Sequence, residues 1–211
     1  MSDIELYGDA KWESPWVFHA MVALDELGLE YTLHPLVFPI EGDVKAKLAE
    51  HAHLPKTPCL VHGKFWLTES SAISEYLAEV FAPPAYPRIM PSSVEERARA
   101  RQVMSWLRTS LMGLREDRPT SSVFMHPVHT PLTARGKEHA DEVIGVAMKL
   151  LAHGRNTLFD AWCVADADLA LMLMRLVANN DPAPDRIVEY TTAQWQRQSV
   201  RKYLAHIPTT P

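Results

Sequence analysis

A proline-rich segment at residues 81–91 divides this chain of 211 residues into two parts with different sequence patterns. The segment contains four of the sixteen prolines, and proline continues neither a helix nor a central strand. Strand-like runs occur only before it, whereas helical periodicity dominates after it. A chain of this length is comfortable for two modest domains. We therefore predict a first domain at residues 1–80, a linker at 81–91 and a second domain at 92–211.

The first part shows strand and helix signals in the order β-α-β, then a β-hairpin, then a helix. The first helix has both ends marked, with Ser14 as N-cap, Pro15 at the first helical position and Gly28 just past the end. The segment at 39–55 is polar, weakly helical and difficult to assign. The other predicted elements are strands at 4–7 and 31–37, two short strands within 57–67 joined by a Gly-Lys turn, and a helix from about Ser71. This order predicts one mixed sheet with helices packed on it.

The second part is predicted to be entirely helical, because no convincing strand follows residue 91. Its first helix carries Met104, Leu107, Leu111 and Leu114 at three-four spacing. Further helices are predicted at about 134–151, 165–178 and 191–206. The helix at 165–178 is apolar on most sides, which is typical of the centre of a helical bundle. The predicted fold class is therefore α+β, with a mixed α/β domain followed by an all-α domain.

Charge and hydropathy exclude several classes of partner. The net charge is −5 and no basic block of five or more residues occurs, so nucleic acid is a poor candidate for the partner. The first residues form no apolar run long enough for a signal peptide. No stretch approaches eighteen apolar residues, so we predict no membrane span and a cytoplasmic location.

The two cysteines and the close histidine pairs give no strong sign of redox or metal chemistry. Cys59 and Cys163 are far apart in sequence and form no C-x-x-C motif, so buried packing is the first interpretation of both. The histidine pairs His51-x-His53 and His126-x-x-His129 lack nearby acidic or thiol ligands at helical spacing. We therefore predict no metal site.

Ser14 stands at the predicted start of the first helix. An N-cap serine before proline needs no further function, and this structural interpretation is sufficient by itself. A helix N-terminus also presents unpaired N–H groups and partial positive charge, which favour an anion such as a thiolate. Both interpretations stay open on this fragment alone.

Thr57-Pro58 enters a short strand in the middle of the first domain. Proline removes a donor from a sheet and is tolerated at edges, bulges or strand starts. A proline here either simply starts the strand or forms a cis bond. A cis bond would turn the backbone N–H and C=O of Thr57 away from the sheet, where they could pair with a peptide ligand.

Glu69-Ser70-Ser71 follows at a turn from strand to helix. Helix capping accounts for one of these polar side chains. A carboxylate and a hydroxyl together at a helix N-terminus would also suit the ammonium and carboxylate groups of an amino acid.

In this order, followed by a proline-rich linker and a helical half, the three signals resemble the glutathione S-transferase superfamily over essentially the whole chain. The first eighty residues are similar to its thioredoxin-like domain, and the Ser-Pro and Glu-Ser-Ser-Ala-Ile signals resemble its serine-type classes. The small bacterial members of the YfcF type are similar in the runs Trp106-Leu107-Arg108, Leu114-Arg115-Glu116, Arg118-Pro119, Phe124 and Trp162 to Leu171. Those members are associated with glutathione conjugation and glutathione-dependent peroxide reduction.

The resemblance implies roles for six residues toward glutathione. Ser14 would be the catalytic hydroxyl that hydrogen-bonds the glutathione sulfur. Pro58 would be the cis-proline, and Thr57 would pair through its backbone with the cysteinyl unit. The remaining implied contacts are to the γ-glutamyl end from Glu69 and Ser70, and to the glycyl carboxylate from Lys56.

The resemblance also implies a pocket for a second substrate between Ser14 and the first helix of the second domain. The candidate residues for this pocket are Trp12, Trp106, Arg108 and Arg115. Each of them is alternatively a core residue or an ion-pair partner. A homodimer is implied as well, with Phe65, Trp66 and Trp195 as apolar candidates for its interface.

These residues together favour an enzyme that activates the glutathione thiol. The thiolate would attack an electrophile or an organic hydroperoxide, and the sequence does not rank these two reactions. The alternative is a non-catalytic glutathione-binding or structural module on the same fold. One departure from the superfamily pattern stands at Cys163, where a serine or threonine usually caps a helix three residues before an aspartate, here Asp166. A redox role for Cys163 is the other interpretation.

Overall fold

The computed structural model describes residues 3–208. They form two compact units, one of residues 3–89 together with 206–208 and one of residues 90–205. The division falls inside the proline-rich segment, but the last three described residues group with the first unit rather than with the helical one. Within residues 3–208, no helix is both long enough and apolar enough to cross a membrane.

The first unit contains a four-stranded sheet and three helices. Its elements in chain order are β1 (Ile4–Asp9), α1 (Pro15–Glu26), β2 (Thr32–Leu36), α2 (Gly42–Ala52), β3 (Cys59–His62), β4 (Phe65–Thr68) and α3 (Ser70–Val80). The predicted order is confirmed, and α2 occupies the segment that the sequence left unassigned. This helix was difficult to predict because it buries only Leu48 and Ala52, too few residues to give a periodic apolar stripe.

The strand order is β2-β1-β3-β4, in which β1 and β2 are parallel and the other two pairs are antiparallel. Cys59 of β3 lies opposite both Tyr7 of β1 and Thr68 of β4. The end of β1, the start of β3 and the end of β4 therefore lie at the same edge of the sheet, the edge formed by strand ends and not by an outer strand. The segments that continue from this edge are the turn at 9–14, the dipeptide at 57–58 and the turn at 68–70.

Helices cover both faces of the sheet. Helix α1 is buried from Val17 to Leu24 and lies on the face of Gly8, where a Cβ atom added to Gly8 would be 2.8 Å from Cγ1 of Val17. Helix α2 packs on the opposite face, where Leu48 and Cys59 belong to one apolar cluster. The close approach at Gly8 fixes the start of α1 against the end of β1.

The second unit is entirely helical in its described residues, as predicted. Its helices are α4 (Val94–Thr109), α5 (Met112–Asp117), α6 (Thr120–Phe124), α7 (Ala134–Leu150), α8 (Val164–Val177), α9 (Asp185–Trp195) and α10 (Gln198–Leu204). The single helix predicted through Leu114 is interrupted, because Leu111 has a left-handed φ of 62°. The helix predicted at 191–206 is also wrong in its bounds, since α9 begins directly after Pro184 and a second helix follows it.

Helix α8 forms the core of the helical unit, and all its residues from Val164 to Leu176 are buried. Its first turn is held by Asp166, whose carboxylate accepts the backbone N–H groups of Leu158 at 2.7 Å and Cys163 at 3.0 Å. The hydroxyl of Tyr190 donates to the same carboxylate at 2.9 Å. The aspartate thus bonds the backbone amides of the turn, as expected, although a cysteine stands at the cap position. The fold is α+β, a thioredoxin-like unit followed by a helical one.

Candidate functional site

Ser14 lies at the N-terminus of α1, where the sequence predicts it. It is the N-cap, with φ −75° and ψ 117°, and its Oγ accepts the backbone N–H of Val17 at 3.3 Å. Pro15 occupies the first helical position, and the carbonyl of Ser14 accepts the N–H of Phe18 at 3.1 Å. The hydroxyl is half-buried at the positive end of a helix whose next turns are buried, so any anion bound there would be stabilised by the helix.

The peptide bond between Thr57 and Pro58 is cis. Both residues precede β3, whose ladder with β1 begins at Cys59 opposite Tyr7. Pro58 is buried and Thr57 is half-buried. The proline therefore stands at the mouth of an interior strand without interrupting the hydrogen bonds of the sheet.

Glu69 connects β4 to α3 in a backbone conformation that L residues rarely adopt, with φ 69° and ψ 109°. Its carbonyl accepts the N–H of Ile73 at 2.9 Å, and its side chain makes no cap hydrogen bond to the helix. Ser70 is the first residue of α3 and is buried. Backbone strain of this kind concentrates at functional sites, and here it leaves a carboxylate exposed above a helix N-terminus.

Lys56 and Glu69 lie side by side. The Lys56 Nζ is 3.7 Å from the Glu69 Oε1, and both side chains are largely exposed. An exposed ion pair of this length contributes little to stability. The pair nevertheless shows that two residues singled out from the sequence converge on one small area.

All six residues predicted to hold glutathione lie on segments that meet at one edge of the sheet. Ser14 follows the end of β1, Lys56 to Pro58 precede the start of β3, and Glu69 with Ser70 follows the end of β4. The arrangement offers two helix N-termini, a hydroxyl, a carboxylate and an ammonium group. Such a set suits a peptide that carries a thiol, an α-amino acid end and a second carboxylate.

The four residues proposed for a second substrate have partners within their own units. Trp12 has a left-handed φ of 59°, and its indole stacks on the imidazole of His206 at a centroid distance of 4.4 Å. The indole of Trp106 donates to Glu142 at 3.0 Å. Trp106 also lines a cavity of about 280 Å³ between α4 and α7, together with Arg99, Gln102, Val103, Val146 and Leu150.

The two arginines of that set are held by groups of the helical unit. Arg108 forms an ion pair with the buried Asp168 of α8. Arg115 donates to the carbonyl of Arg108 at 3.0 Å, and partial burial lowers the pKa of its guanidinium. The ion-pair interpretation therefore describes Arg108, and its role toward a substrate stays a prediction.

Both cysteines are free and buried, which confirms the packing interpretation. Burial raises the pKa of Cys59 to about 12 and raises the pKa of Cys163 well above its usual range. Thiols in this state are poor nucleophiles because the thiolate is disfavoured. Among residues 3–208, no three His, Cys, Asp or Glu side chains gather as they would around a metal ion.

Two residues of this region were missed by the sequence reasoning. Asp9 closes the turn before Ser14 by accepting the N–H of Glu13 at 2.8 Å, and His206 covers the ring of Trp12. An aspartate at a strand end is a signal for a turn of this type. No local signal could have indicated His206, because the contact joins distant parts of the chain.

Protein-family models match both parts of the chain. The model described as glutathione S-transferase, N-terminal domain, matches residues 3–79, and the model described as glutathione S-transferase, C-terminal domain, matches residues 93–208. The chain belongs to the glutathione S-transferase family.

Solved structures give the same result. A glutathione transferase homologue from Burkholderia gl BGR1, solved with bound glutathione, is 33% identical to this chain and covers 97% of each chain at a TM-score of 0.77. The theta class glutathione S-transferase of Xanthomonas axonopodis pv. citri, also solved with glutathione, is similar in fold at 20% identity, 100% and 99% coverage and a TM-score of 0.72. A curated relative, glutathione S-transferase U13 of Arabidopsis thaliana, is 34% identical over 92 residues. That match spans 43% of this chain and 39% of the length of the Arabidopsis protein.

Proposed function

We propose that this protein is a glutathione transferase that activates the glutathione thiol through the hydroxyl of Ser14. The observation that supports the proposal is the position of Ser14 at the N-terminus of α1, at the sheet edge that also carries Thr57-Pro58 and Glu69-Ser70. The bound glutathione in the similar Burkholderia structure supports the same ligand here.

In this proposal each end of glutathione has its own partners. The backbone of Thr57 pairs with the cysteinyl unit beside Pro58. The γ-glutamyl ammonium is held by the exposed carboxylate of Glu69, and the α-carboxylate by Ser70 at the start of α3. Lys56 serves the glycyl carboxylate.

Ser14 acts on the sulfur as a hydrogen-bond donor and does not itself ionise. A free thiol has a pKa of about 8.5 and is mostly protonated at neutral pH. Lowering that pKa by about two units corresponds to roughly 2.7 kcal/mol of preference for the thiolate. The hydroxyl of Ser14 and the positive end of α1 are the groups that supply this preference, and the proton leaves to solvent.

The activated thiolate has two candidate reactions. In conjugation, the sulfur forms a bond to an electrophilic carbon and a leaving group such as chloride departs with the electron pair. In peroxide reduction, the sulfur attacks one peroxide oxygen, the O–O bond breaks, the departing alkoxide takes a proton from solvent, and an alcohol and glutathione sulfenic acid form. A second glutathione then releases water and gives the disulfide. Either reaction would serve the detoxification of electrophiles or protection from oxidative stress.

The proposed assembly is a homodimer in the cytoplasm. Its support is the family membership together with Phe65, an aromatic side chain on the edge strand β4 that is 47% exposed. Two free cysteines are in keeping with a reducing compartment. Light scattering of the purified protein tests the dimer directly.

The decisive experiment titrates glutathione by calorimetry and assays both a chloro-nitroaryl acceptor and cumene hydroperoxide. We expect binding at or below millimolar glutathione and turnover of at least one acceptor. The Ser14→Ala variant should bind glutathione, raise the pKa of the bound thiol and reduce kcat/KM by about 10²-fold. Absence of binding at millimolar glutathione would overturn the proposal, whereas binding without turnover would support the non-catalytic module.

A matched control for the loss of the Ser14 cap is available in the helical unit. Ser93 is the N-cap of α4, and its Oγ accepts the N–H of Glu96 at 3.3 Å, the same geometry as at Ser14. Ser93→Ala removes an equivalent cap and should lower stability by about 1 kcal/mol without changing the thiol pKa. A Ser14→Ala variant that behaves like Ser93→Ala would keep the enzyme but remove this mechanism.

A further inference from the structure

Asp9 closes the turn that leads to Ser14. It is the last residue of β1 and only 7% exposed. Its Oδ2 accepts the backbone N–H of Glu13 at 2.8 Å, and its carbonyl accepts the N–H of Trp12 at 3.4 Å. Glu13 directly precedes Ser14, so this one residue fixes the backbone from which the hydroxyl is presented.

The second carboxylate oxygen of Asp9 is not needed for that task. Oδ1 is buried and has no hydrogen-bond partner among residues 3–208. A buried acceptor without a partner destabilises the folded chain, and a buried charge does so more strongly. A neutral serine or asparagine could accept the same N–H from Glu13, so the geometry of the turn does not explain why a carboxylate stands here.

The charge lies close to the proposed reaction site. Backbone geometry keeps the carboxylate within about 8 Å of the Cα atom of Ser14, because Oδ2 is bonded to the N–H of the preceding residue. The N-terminus of α1 stabilises an anion, and the carboxylate of Asp9 is bonded to the backbone of the residue that directly precedes Ser14. Its charge therefore opposes the formation of a second anion at Ser14.

Resting on the proposed function, we infer that Asp9 is a positioning residue for Ser14 whose negative charge also limits the acidity of the bound glutathione thiol. The hydrogen bond from the N–H of Glu13 to Asp9 holds the backbone that presents the Ser14 hydroxyl. The negative charge of Asp9 keeps the pKa of the bound thiol higher than the hydroxyl and the helix alone would make it. A more acidic thiol is a weaker nucleophile once ionised, and the best attacking thiol titrates near the ambient pH. Asp9 thus lowers the fraction of bound glutathione that is thiolate and raises the nucleophilicity of that thiolate.

Other ionisable groups lie on the elements around the turn. Those on β1, the turn itself, α1, β2 and β3 are Glu5, Tyr7, Lys11, Glu13, His19, Asp25, Glu26, His34, Cys59 and His62. Glu5 is paired with His34 at 2.6 Å, and Asp25 and Glu26 stand at the far end of α1. Lys11 and Glu13 share the turn with Asp9 and carry opposite charges, and His206 stacks on Trp12 of the same turn.

The test removes the charge while keeping an acceptor for the N–H of Glu13. In Asp9→Asn, the pKa of enzyme-bound glutathione, followed by thiolate absorbance against pH, should fall by about one unit, the size expected for one charge roughly 10 Å away at an effective dielectric constant of about 20. The acid limb of the pH profile of kcat/KM for the acceptor, measured at saturating glutathione, should move by the same amount. Above both pKa values, kcat should fall about threefold because nucleophilicity drops with pKa. A bound thiol whose pKa is unchanged or higher would overturn the inference.

Two further variants separate the effect of the Asp9 charge from effects on folding. Asp9→Ser is a second neutral acceptor, to be used with a thermal midpoint measurement if Asp9→Asn is poorly folded. Asp117 is the matched control, because its Oδ2 accepts the N–H of Thr133 at 2.7 Å, the N-cap of α7 in the helical unit. Asp117→Asn should leave the thiol pKa unchanged, and an equal shift in that variant would also overturn the inference.

The outcomes distinguish this inference from the proposed function. A wild-type protein that binds no glutathione overturns both. A wild-type protein whose bound thiol is acidified, which loses that acidity in Ser14→Ala and shows no fall in the thiol pKa in Asp9→Asn, keeps the proposed function and overturns the role of Asp9 alone.

Discussion

The indole of Trp12 and the imidazole of His206 stack with their ring planes 16° apart. Trp12 lies in the turn that leads to Ser14, and His206 is among the last described residues of the chain. Trp12 has a left-handed backbone, with φ 59°. The orientation of one candidate for the second-substrate pocket thus depends on a residue near the other end of the sequence.

Replacing His206 by alanine should change acceptor selectivity without changing glutathione affinity. Loss of an aromatic stack worth about 0.5–1.5 kcal/mol frees the Trp12 ring, so the KM for an aromatic acceptor should rise by up to about tenfold. Steady-state kinetics with each substrate varied in turn measures the split. Arg201→Ala, an exposed position of α10, serves as the control, and an equal rise in both KM values would contradict a role limited to the acceptor.

Glu69 and Lys56 should differ in their effects on glutathione binding although they contact each other. Glu69→Ala removes the proposed partner of the γ-glutamyl ammonium, and a hydrogen bond to a charged group contributes about 1.5–3 kcal/mol, so the Kd should rise by about 10- to 100-fold. Lys56→Ala removes the proposed partner of the glycyl carboxylate, but the Lys56 ammonium is largely exposed, so this change should raise the Kd less than about fivefold. Calorimetric titration of both variants, with the exposed Glu79→Ala as control, checks the ranking. A larger rise in Kd for Lys56→Ala than for Glu69→Ala would contradict the roles assigned to these residues at the two ends of glutathione.

Gly8→Ala and Gly145→Ala should have opposite effects on stability. The Cβ at position 8 would lie 2.8 Å from Cγ1 of the buried Val17, so we expect destabilisation by about 1–3 kcal/mol. Gly145 lies within α7 with nothing within 4 Å, and alanine there should stabilise by about 0.5–1 kcal/mol. Urea unfolding of both variants measures the difference. The double variant Gly8→Ala/Val17→Ala should lose less than the sum of the single changes, and full additivity would speak against the contact.

Asp166 should give the stability of the protein a specific pH dependence. Burial raises its pKa from 3.8 to about 6, so between about pH 4 and pH 6 the folded chain retains a proton that the unfolded chain has released. The free energy of unfolding therefore falls as pH rises through this window, by at most about 3 kcal/mol, and no further above it. Asp166→Asn lacks this contribution, and urea unfolding of both proteins at several pH values gives the difference. Parallel stability curves would contradict the raised pKa.

Local signals were sufficient for the elements that carry the proposed site. Ser14-Pro15 and Gly28 mark both ends of α1, and the structure places a cap at the first and a φ of 69° at the second. The Gly-Lys turn predicts the hairpin, and the structure pairs His62 with Phe65 on either side of it. Antiparallel pairing then brings Ser14, Thr57-Pro58 and Glu69-Ser70 to one edge of the sheet, although they are separated along the chain.

Other features depend on contacts that no local pattern contains. Leu111 interrupts a helical segment whose apolar residues keep the same spacing on both sides of the break, so periodicity could not reveal it. The unpartnered oxygen of Asp9 and the stack on Trp12 are likewise tertiary facts. Polar residues in turns carry several interpretations until their neighbours are known.

The turn at 9–14 is clamped by residues other than the one it presents. Gly8 allows Val17 to pack closely at one end, and Asp9 accepts the N–H of Glu13 at the other, so contacts besides the Ser14 cap hold the backbone at position 14. The position of the reactive group and its chemical identity therefore depend largely on different residues of this chain. A single substitution can introduce a different reactive group at position 14 while the contacts that hold the turn are retained.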